Sequence, residues 1–468
     1  MDNVWKRIER HENVEKAICY MKNNNLVEIS YKQFANDIKK MWKFYANKGI
    51  VAKKIGIMGK NSYEWLLVYF SIVTSGCIAV PLDENCVTHE YEELRSEVDF
   101  LVLDRDLISE SKIEEDFGEN FEYMEDLLFD IERIDISDVV EKDIDNSDVS
   151  TVLFTSGTTG KRKGVKITND MRTFSSDSTV EMTGLDSNVK MYLILPLHSG
   201  YTLFMMEMCF NLGGQIFISG GPRYYAKELK RYNPTLIPTV PLEMEYFYEK
   251  YSKDENYFGI NKPQLWSAGA TLSEDIIKNF QKTDIITATV YGTSEASMLA
   301  LNFFSKKSGK LKSVGKAISG VEFSVMEGEL LVKGRSLCKG YINAESPFDE
   351  NGWLHLGDMG YIDEDGYIFI NGRKKNVIIF SNAVNIYPEL IEEIILSGTD
   401  AINEIVVAAE KDKESLWAEI YCKNKNNEAV EKAISNYNQS VPVFKRINRI
   451  AYRAEPFKRN ALEKIVRK

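Results

Sequence analysis

From Trp65 to Leu82 the chain runs 18 positions without a charged residue. A run of that length either crosses a bilayer, which takes about 20 predominantly apolar residues, or lies inside a layered domain. Thr74-Ser-Gly76 and Pro81 interrupt it, so the reading is a buried helix over about 62–74, a turn, and a short strand at 77–80. Lys54-Ile-Gly-Ile-Met58 reads as a strand ahead of it, and Asn61-Ser62 as the N-cap pair between. Strand, helix and strand in that rhythm form a β-α-β unit. Further strands are expected at Phe100–Leu103, Thr151–Phe154, Met191–Leu195, Gln215–Ile218, Thr235–Ile237 and Ile285–Val290, mostly separated by helical stretches. The bulk of the chain is therefore expected to be α/β, without a membrane span.

Composition narrows the class. The 468 residues are 44% apolar and 27% charged, a soluble globular profile long enough for two to four domains or subdomains at about 150 residues each. The formal net charge of -12 argues against a nucleic-acid partner, whose site would be a basic stripe. Six cysteines without a C-x-x-C indicate neither a disulfide scaffold nor a zinc site. No apolar run follows the charges of the first ten residues, so no secretory signal is read, and a cytoplasmic location is expected. Residues 104–148 hold 18 acidic residues against four basic ones, which reads as a solvated face or loop.

Beyond residue 310 short strands with glycine turns suggest a small β-rich subdomain. From about 376 onward, Pro388–Ile395 and Glu428–Tyr437 read as helices, with Ile405–Ala409 and Trp417–Tyr421 as strands. The expected organisation is a large N-terminal domain over 1–372, a hinge at 373–375, and a smaller, mobile α+β lid over 376–468.

Directly after the strand Thr151–Phe154 comes Thr155-Ser-Gly-Thr-Thr-Gly-Lys-Arg-Lys-Gly164. Its three glycines let backbone N–H groups approach an anion, its four hydroxyls can donate to phosphate oxygens, and its three bases supply charge. It is not a Walker loop, because only two residues separate Gly157 from Gly160.

The loop resembles the signature of the adenylate-forming superfamily, which takes in acyl-CoA synthetases, adenylation domains and beetle luciferases. The family form is [ST]-S-G-[ST]-T-G-x-P-K-G, with Arg162 in the proline's place. The other signatures follow in the family's order. Tyr291-Gly-Thr-Ser-Glu295 is similar to Y-G-x-[ST]-E, Ser267-Ala-Gly-Ala-Thr-Leu272 to the loop walling the adenine and acyl pocket, and Leu195-Pro-Leu-His198 to L-P-L-[HF]. Gly352-Trp-Leu-His-Leu-Gly-Asp358 resembles G-W-x-x-T-G-D with Leu356 for threonine, and Gly372-Arg-Lys-Lys-Asn-Val-Ile378 resembles G-R-x-[KD]-[DE]-x-I. Ser381–Pro388 is similar to x-N-G-x-N-I-Y-P, with Ala383 for glycine. Lys458–Ile465 resembles P-[KR]-T-x-x-G-K-I, with Lys458, Asn460 and Glu463 as departures.

The resemblance implies a role for each. Thr155, Ser156, Gly157, Thr158, Thr159, Gly160 and Lys163 would hold ATP phosphates. Gly269, Ala270, Tyr291, Gly292 and Ser294 would border the nucleotide, with Tyr291 stacked on adenine. Asp358 would take the ribose hydroxyls and Arg373 would touch the nucleotide. Glu295 and Thr155 would bind Mg2+. Lys464 would bridge the carboxylate and α-phosphate, His198 would sit beside the substrate carboxylate or gate the acyl tunnel, and Lys375 would be the hinge.

The implied activity is ATP-dependent conversion of a carboxylic acid to an acyl-adenylate, then transfer to a thiol. Leu197–Leu203 contains no carboxylate for an α-ammonium, which favours a fatty or aryl acid, and Tyr201, Phe204, Met205 and Met206 are candidates for an apolar pocket. The acceptor is CoA, or alternatively the phosphopantetheine of a carrier protein, with which Ala383 and Glu463 are compatible. A non-catalytic nucleotide sensor is the reading from another class. The joint presence of Glu295, Asp358 and Lys464 argues against it.

Overall fold

The computed structural model describes residues 2–84, 95–155, 162–304, 310–380, 385–410, 415–424, 427–459, 465 and 467. The uncharged run forms helix Tyr63–Val73 and strand Ile78–Leu82. The helix is buried on all sides, as an all-round apolar helix must be, and it packs against helices Tyr31–Asn47 and Met124–Glu132. Ser62 caps it, accepting from the Trp65 amide at 3.0 Å. Among the described residues no helix is long and apolar enough to cross a membrane.

Two sheets organise the large domain. The first orders six strands as Phe121–Tyr123, Phe100–Leu103, Lys54–Met58, Ile78–Leu82, Val149–Thr155 and Lys163–Thr168. All neighbours are parallel except the last pair, which is antiparallel. The second contains parallel strands Gln215–Ile218, Lys190–Leu193, Leu236–Thr239, Gln264–Ser267 and Thr287–Thr293, in that spatial order. One continuous core joins Ile55 and Ala79 of the first sheet, Met191 and Ile216 of the second, and Phe70, Met205 and Phe210 from the helices. Phe204, Met205 and Met206 are ordinary members of that core, and the Tyr201 hydroxyl donates to the Trp266 carbonyl at 2.9 Å.

The stretch beyond residue 310 is rich in short strands, as expected; they pair antiparallel and continue the second sheet. Strands Ser297–Phe304, Ser313–Ala317, Ile368–Arg373, Leu354–Ile362, Glu329–Gly334 and Val321–Met326 extend it at one end, and Ile18–Lys22 and Asn25–Ile29 at the other, to 13 strands.

The acidic stretch is the solvated face expected, with most of its acids exposed, but it is folded rather than a loop. It contains helices Glu110–Phe117 and Met124–Glu132 around strand Phe121–Tyr123, and several of its acids pair with bases from elsewhere. Lys48 meets Glu122 at 2.7 Å, Lys60 meets Asp106 at 2.7 Å, Lys6 meets Glu141 at 2.9 Å, and Lys43 pairs with Asp138. Such exposed pairs contribute little individually, but they spread the negative charge of 104–148 over the basic face of helix Tyr31–Asn47 and its neighbours.

After residue 376 a three-stranded sheet of Glu404–Ala409, Leu416–Tyr421 and Ile447–Arg453 carries helices Pro388–Ser397 and Asn427–Ser440. These close a separate apolar core around Ile391, Ile405, Ala418 and Ile434.

Candidate active site

Parallel strands in one register all end on the same edge of a sheet, and there an α/β protein gathers its ligand-binding loops. Ser267 is paired with Thr289, and Leu236 with both Met191 and Gln264. The segments following these strands, Leu195–His198, Ser267–Ala270 and Tyr291–Glu295, therefore emerge side by side. Gly200, two residues after His198, lies close to the strand before the 155–164 loop and to the Tyr291–Glu295 motif. A Cβ placed there would sit 3.1 Å from Leu153 and 3.9 Å from the Ser294 hydroxyl.

Two motifs 67 residues apart meet at the carboxylate of Asp358. The Tyr291 hydroxyl donates to Oδ2 at 2.6 Å, and Nε of Arg373 lies 3.0 Å from Oδ1. Asp358 is buried, and Arg373 also donates to the Leu356 carbonyl at 3.2 Å. Burial and the adjacent carboxylate push the Tyr291 phenol well above its ordinary range, so it serves as a neutral donor. Gly292 is fixed by sterics, since a Cβ would overlap the Ser297 carbonyl oxygen at 2.0 Å in the bulged hairpin that follows. Gly269 takes φ +90°, a left-handed value that favours glycine, and Ala270 beside it is exposed.

Residues 156–161 lie outside the described residues, and with them Ser156, Gly157, Thr158, Thr159 and Gly160. The flanks of that loop are antiparallel partners, Thr155 opposite Lys163, with Val165 and Ile167 alternating inward along the return strand. The loop thus joins two strands rather than opening a helix. Segment Lys339–Asn343 pairs with the far side of the return strand. The Ile342 amide donates to the Gly164 carbonyl at 2.9 Å, and the Lys166 amide to the Gly340 carbonyl at 2.9 Å. Asn343 brackets the loop exit, accepting from the Gly164 amide at 3.0 Å and donating to the Arg162 carbonyl at 2.8 Å. Tyr341, on the same segment, donates its hydroxyl to Oε1 of Glu295 at 2.8 Å while Nζ of Lys163 stands 5.0 Å from its ring centroid. The Lys163 and Glu295 motifs are thus joined through a residue that no motif marked. Its signal was faint, a tyrosine after Lys339-Gly340 in a stretch without periodicity.

Asn61 was read only as part of a cap pair, yet its amide accepts from the Leu197 amide at 2.9 Å and donates to the Leu195 carbonyl at 2.8 Å. It fixes the segment that carries His198. The His198 Nε2 is buried and has no hydrogen-bond partner among the described residues. Burial depresses its pKa against the opposing pull of Asp83, with Arg162 adding to the depression, so the ring is neutral near pH 7.

At the junction, three consecutive residues behave differently. Arg373 is held by Asp358, and Lys374 donates to Glu329 at 2.6 Å. Lys375 is exposed, with no side-chain partner among the described residues. Asn376 donates to Glu389, at the start of helix Pro388–Ser397, at 2.5 Å. Ala383 and residues 460–464, which include Glu463 and Lys464, lie outside the described residues. The flanks of that last segment are anchored. Arg459 pairs with Glu404 at 2.6 Å, Arg467 donates to Glu392 at 2.9 Å, and Arg459 bridges Ile465.

Comparison with known proteins agrees with this arrangement. The chain is 25% identical over 439 residues to 2-succinylbenzoate–CoA ligase of Bacillus cereus, spanning 89% of this chain and 87% of that one. Its fold superimposes with a TM-score of 0.86 on o-succinylbenzoate CoA synthetase (MenE) from Bacillus subtilis in complex with the acyl-adenylate intermediate OSB-AMP, at 21% identity over 99% of this chain and 97% of that one. ATP-bound MatB from Rhodopseudomonas palustris gives 0.85 at 21% identity, with 99% and 97% covered. The sequence model of the AMP-binding enzymes matches residues 4–342, and the chain belongs to that family.

Proposed function

We propose that this chain is an AMP-forming acid–thiol ligase that activates a carboxylic acid with ATP, releases pyrophosphate, and passes the acyl group from its adenylate to CoA. The observation that carries the reading is the junction of Tyr291, Asp358 and Arg373: the ring proposed to stack on adenine and the carboxylate proposed to take the ribose hydroxyls share one contact, next to the proposed hinge. The domains are 1–372 for ATP and acid, 373–375 for the hinge, and 376–468 for the lid.

In this reading Asp358 accepts the ribose hydroxyls, and Tyr291 offers its ring to adenine against Gly269 and Ala270. Gly292 and Ser294 line the same wall. Thr155 to Gly160 with Lys163 bind the phosphates, and Arg373 contacts the nucleotide. Glu295 suits Mg2+. It is a half-buried carboxylate with one oxygen engaged by Tyr341, and no cluster of three metal-binding side chains exists among the described residues. That fits a hard cation shared between one carboxylate, a hydroxyl such as that of Thr155, and phosphate oxygens. When bound, such a cation neutralises phosphate charge.

The acid attacks the α-phosphate, and the repulsion between two anions must be overcome at that point. Lys464 supplies the cation there. The acyl-adenylate is hydrolytically reactive, and the lid excludes water while it exists. Rotation at Lys375 then withdraws Lys464 and admits the thiol. A neutral His198 beside the acyl carboxylate holds no positive charge of its own, which leaves the polarising role to Lys464.

Two of the proteins compared above are named for succinylbenzoate, an aromatic acid, so aryl acids are the first substrate class to test. Exchange of labelled pyrophosphate into ATP, dependent on added 2-succinylbenzoate, other aryl acids or fatty acids, is expected with the wild type and absent in Lys464→Ala. If no acid of either class supports exchange, the reading fails. Comparing CoA with a holo carrier protein on the active acid then identifies the acceptor.

A further inference from the structure

Tyr341 touches both halves of the phosphate and cation region, Glu295 through its hydroxyl and Lys163 through its ring, and it does so in a fixed pose. Its backbone is pinned into the sheet, with the bridge to Val165 and the amides of Lys339 and Ile342 bonded to the Lys166 and Gly164 carbonyls at 2.9 Å each. Glu295 is pinned from the other side, since the Cys338 amide donates to its carbonyl at 2.7 Å. A carboxylate oxygen can only accept, so the phenol is the donor in this contact. The bond goes to Oε1 alone at 2.8 Å, and Oε2 has no partner among the described residues.

We propose that Tyr341 is a positioning residue that restricts Glu295 to presenting a single oxygen to the cation, and so sets the site's preference for a small, six-coordinate ion over a larger one. The proposal rests on the reading that Glu295 holds the cation. The chemistry follows from ion size. Mg2+ demands near-octahedral coordination and takes carboxylates through one oxygen, whereas Ca2+ accepts six to eight ligands and bidentate carboxylates. A donor committed to Oε1 penalises the bidentate mode. Removing the hydroxyl frees Oε1 and relaxes the discrimination. Lys163 over the ring contributes a cation–π contact that phenylalanine retains, so Tyr341→Phe isolates the hydroxyl.

The test is calorimetric titration of the full chain with ATP in EDTA, in Mg2+ and in Ca2+. The wild type is expected to bind ATP at least about tenfold tighter with Mg2+ than with Ca2+. Tyr341→Phe is expected to bring that ratio to within about threefold through tighter binding with Ca2+, with metal-free affinity unchanged. An unchanged ratio, or an equal loss with both ions, overturns the proposal. Glu295→Gln separates the two levels of the argument. If it removes the metal dependence while Tyr341→Phe leaves the ratio intact, Glu295 holds the cation and Tyr341 does not select it. If Glu295→Gln leaves the metal dependence in place, the cation reading itself falls, and this proposal with it.

Discussion

The Tyr291 hydroxyl and the Asp358 carboxylate are 2.6 Å apart, in a buried bond that closes a 67-residue excursion through the antiparallel end of the second sheet. A carboxylate already holding one phenol and one guanidinium is oriented before any sugar arrives. Hydrogen bonds to a charged acceptor contribute about 1.5–3 kcal/mol each. Asp358→Ala should therefore weaken ATP binding by roughly tenfold to a thousandfold. Tyr291→Phe should cost less, about tenfold, because Arg373 still orients the carboxylate. Titration with ATP and with its 2′,3′-dideoxy analogue checks the role. The analogue should bind the wild type and Asp358→Ala equally weakly, and a wild type that does not discriminate between the two would remove Asp358 from the ribose.

The junction makes a second prediction. Arg373 and Lys374 are tied to the large domain through Asp358 and Glu329, and Asn376 is tied to the lid helix through Glu389. Only Lys375 between them is unclamped among the described residues. Proline fixes φ near -65°, so Lys375→Pro should hold the lid in one orientation. Acid-dependent pyrophosphate exchange should then stay within a few-fold of wild type while thioester formation falls at least about a hundredfold. An equal fall in both half-reactions would place the pivot elsewhere.

How much of this was legible in the sequence divides by physical cause. Periodicity and punctuation located helix Tyr63–Val73, strands Phe100–Leu103 and Gln215–Ile218, and helix Pro388–Ser397 to within a residue or two, because each buries its apolar side chains in a simple pattern. The strand expected at Ile285–Val290 begins two residues later and runs on to Thr293, since Tyr291 and Gly292 pair across the bulge with Ala300 and Met298. Local order could not reveal such partners. The same holds for Asn61, Tyr341 and Asn343, whose contacts span 134, 46 and 181 residues respectively. The solvated face of 104–148 was legible from its charge, but the lysines that pair with some of its acids lie up to 135 residues away and were not.

In the core of the large domain, Arg172 pairs with Glu207, both side chains about 5% exposed, and Tyr69 donates to the same carboxylate oxygen at 3.2 Å. Burial pushes the Glu207 carboxyl upward while Arg172 pulls it down. Removing one partner of a buried pair strands the other, at about 3–5 kcal/mol, whereas an apolar replacement of both is often neutral. Arg172→Met alone should lower urea-unfolding stability by about that amount, and Arg172→Met with Glu207→Leu should recover most of it. A double variant as unstable as the single one would show that packing, not charge, sets the loss.

The last prediction concerns the anchored tail. Glu392 accepts from the Val407 amide at 2.6 Å and from Arg467, the described residue three positions after Lys464. Burial pushes the Glu392 carboxyl from 4.5 up to about 7, with Arg467 and the Val407 amide opposing the shift. The folded state therefore binds this proton more tightly than the unfolded chain does. Its stabilising contribution is fully present below about pH 4.5 and is lost as pH rises through about 7. Glu392→Gln keeps acceptor and shape but cannot ionise. Thermal unfolding of the full chain from pH 4.5 to 8 should show the variant matching wild type at the acid end and exceeding it at the alkaline end. Parallel curves across that window would mean the ion pair with Arg467 fully offsets the burial of the charge, and the tail that carries Lys464 would then be held equally firmly at every pH in the range.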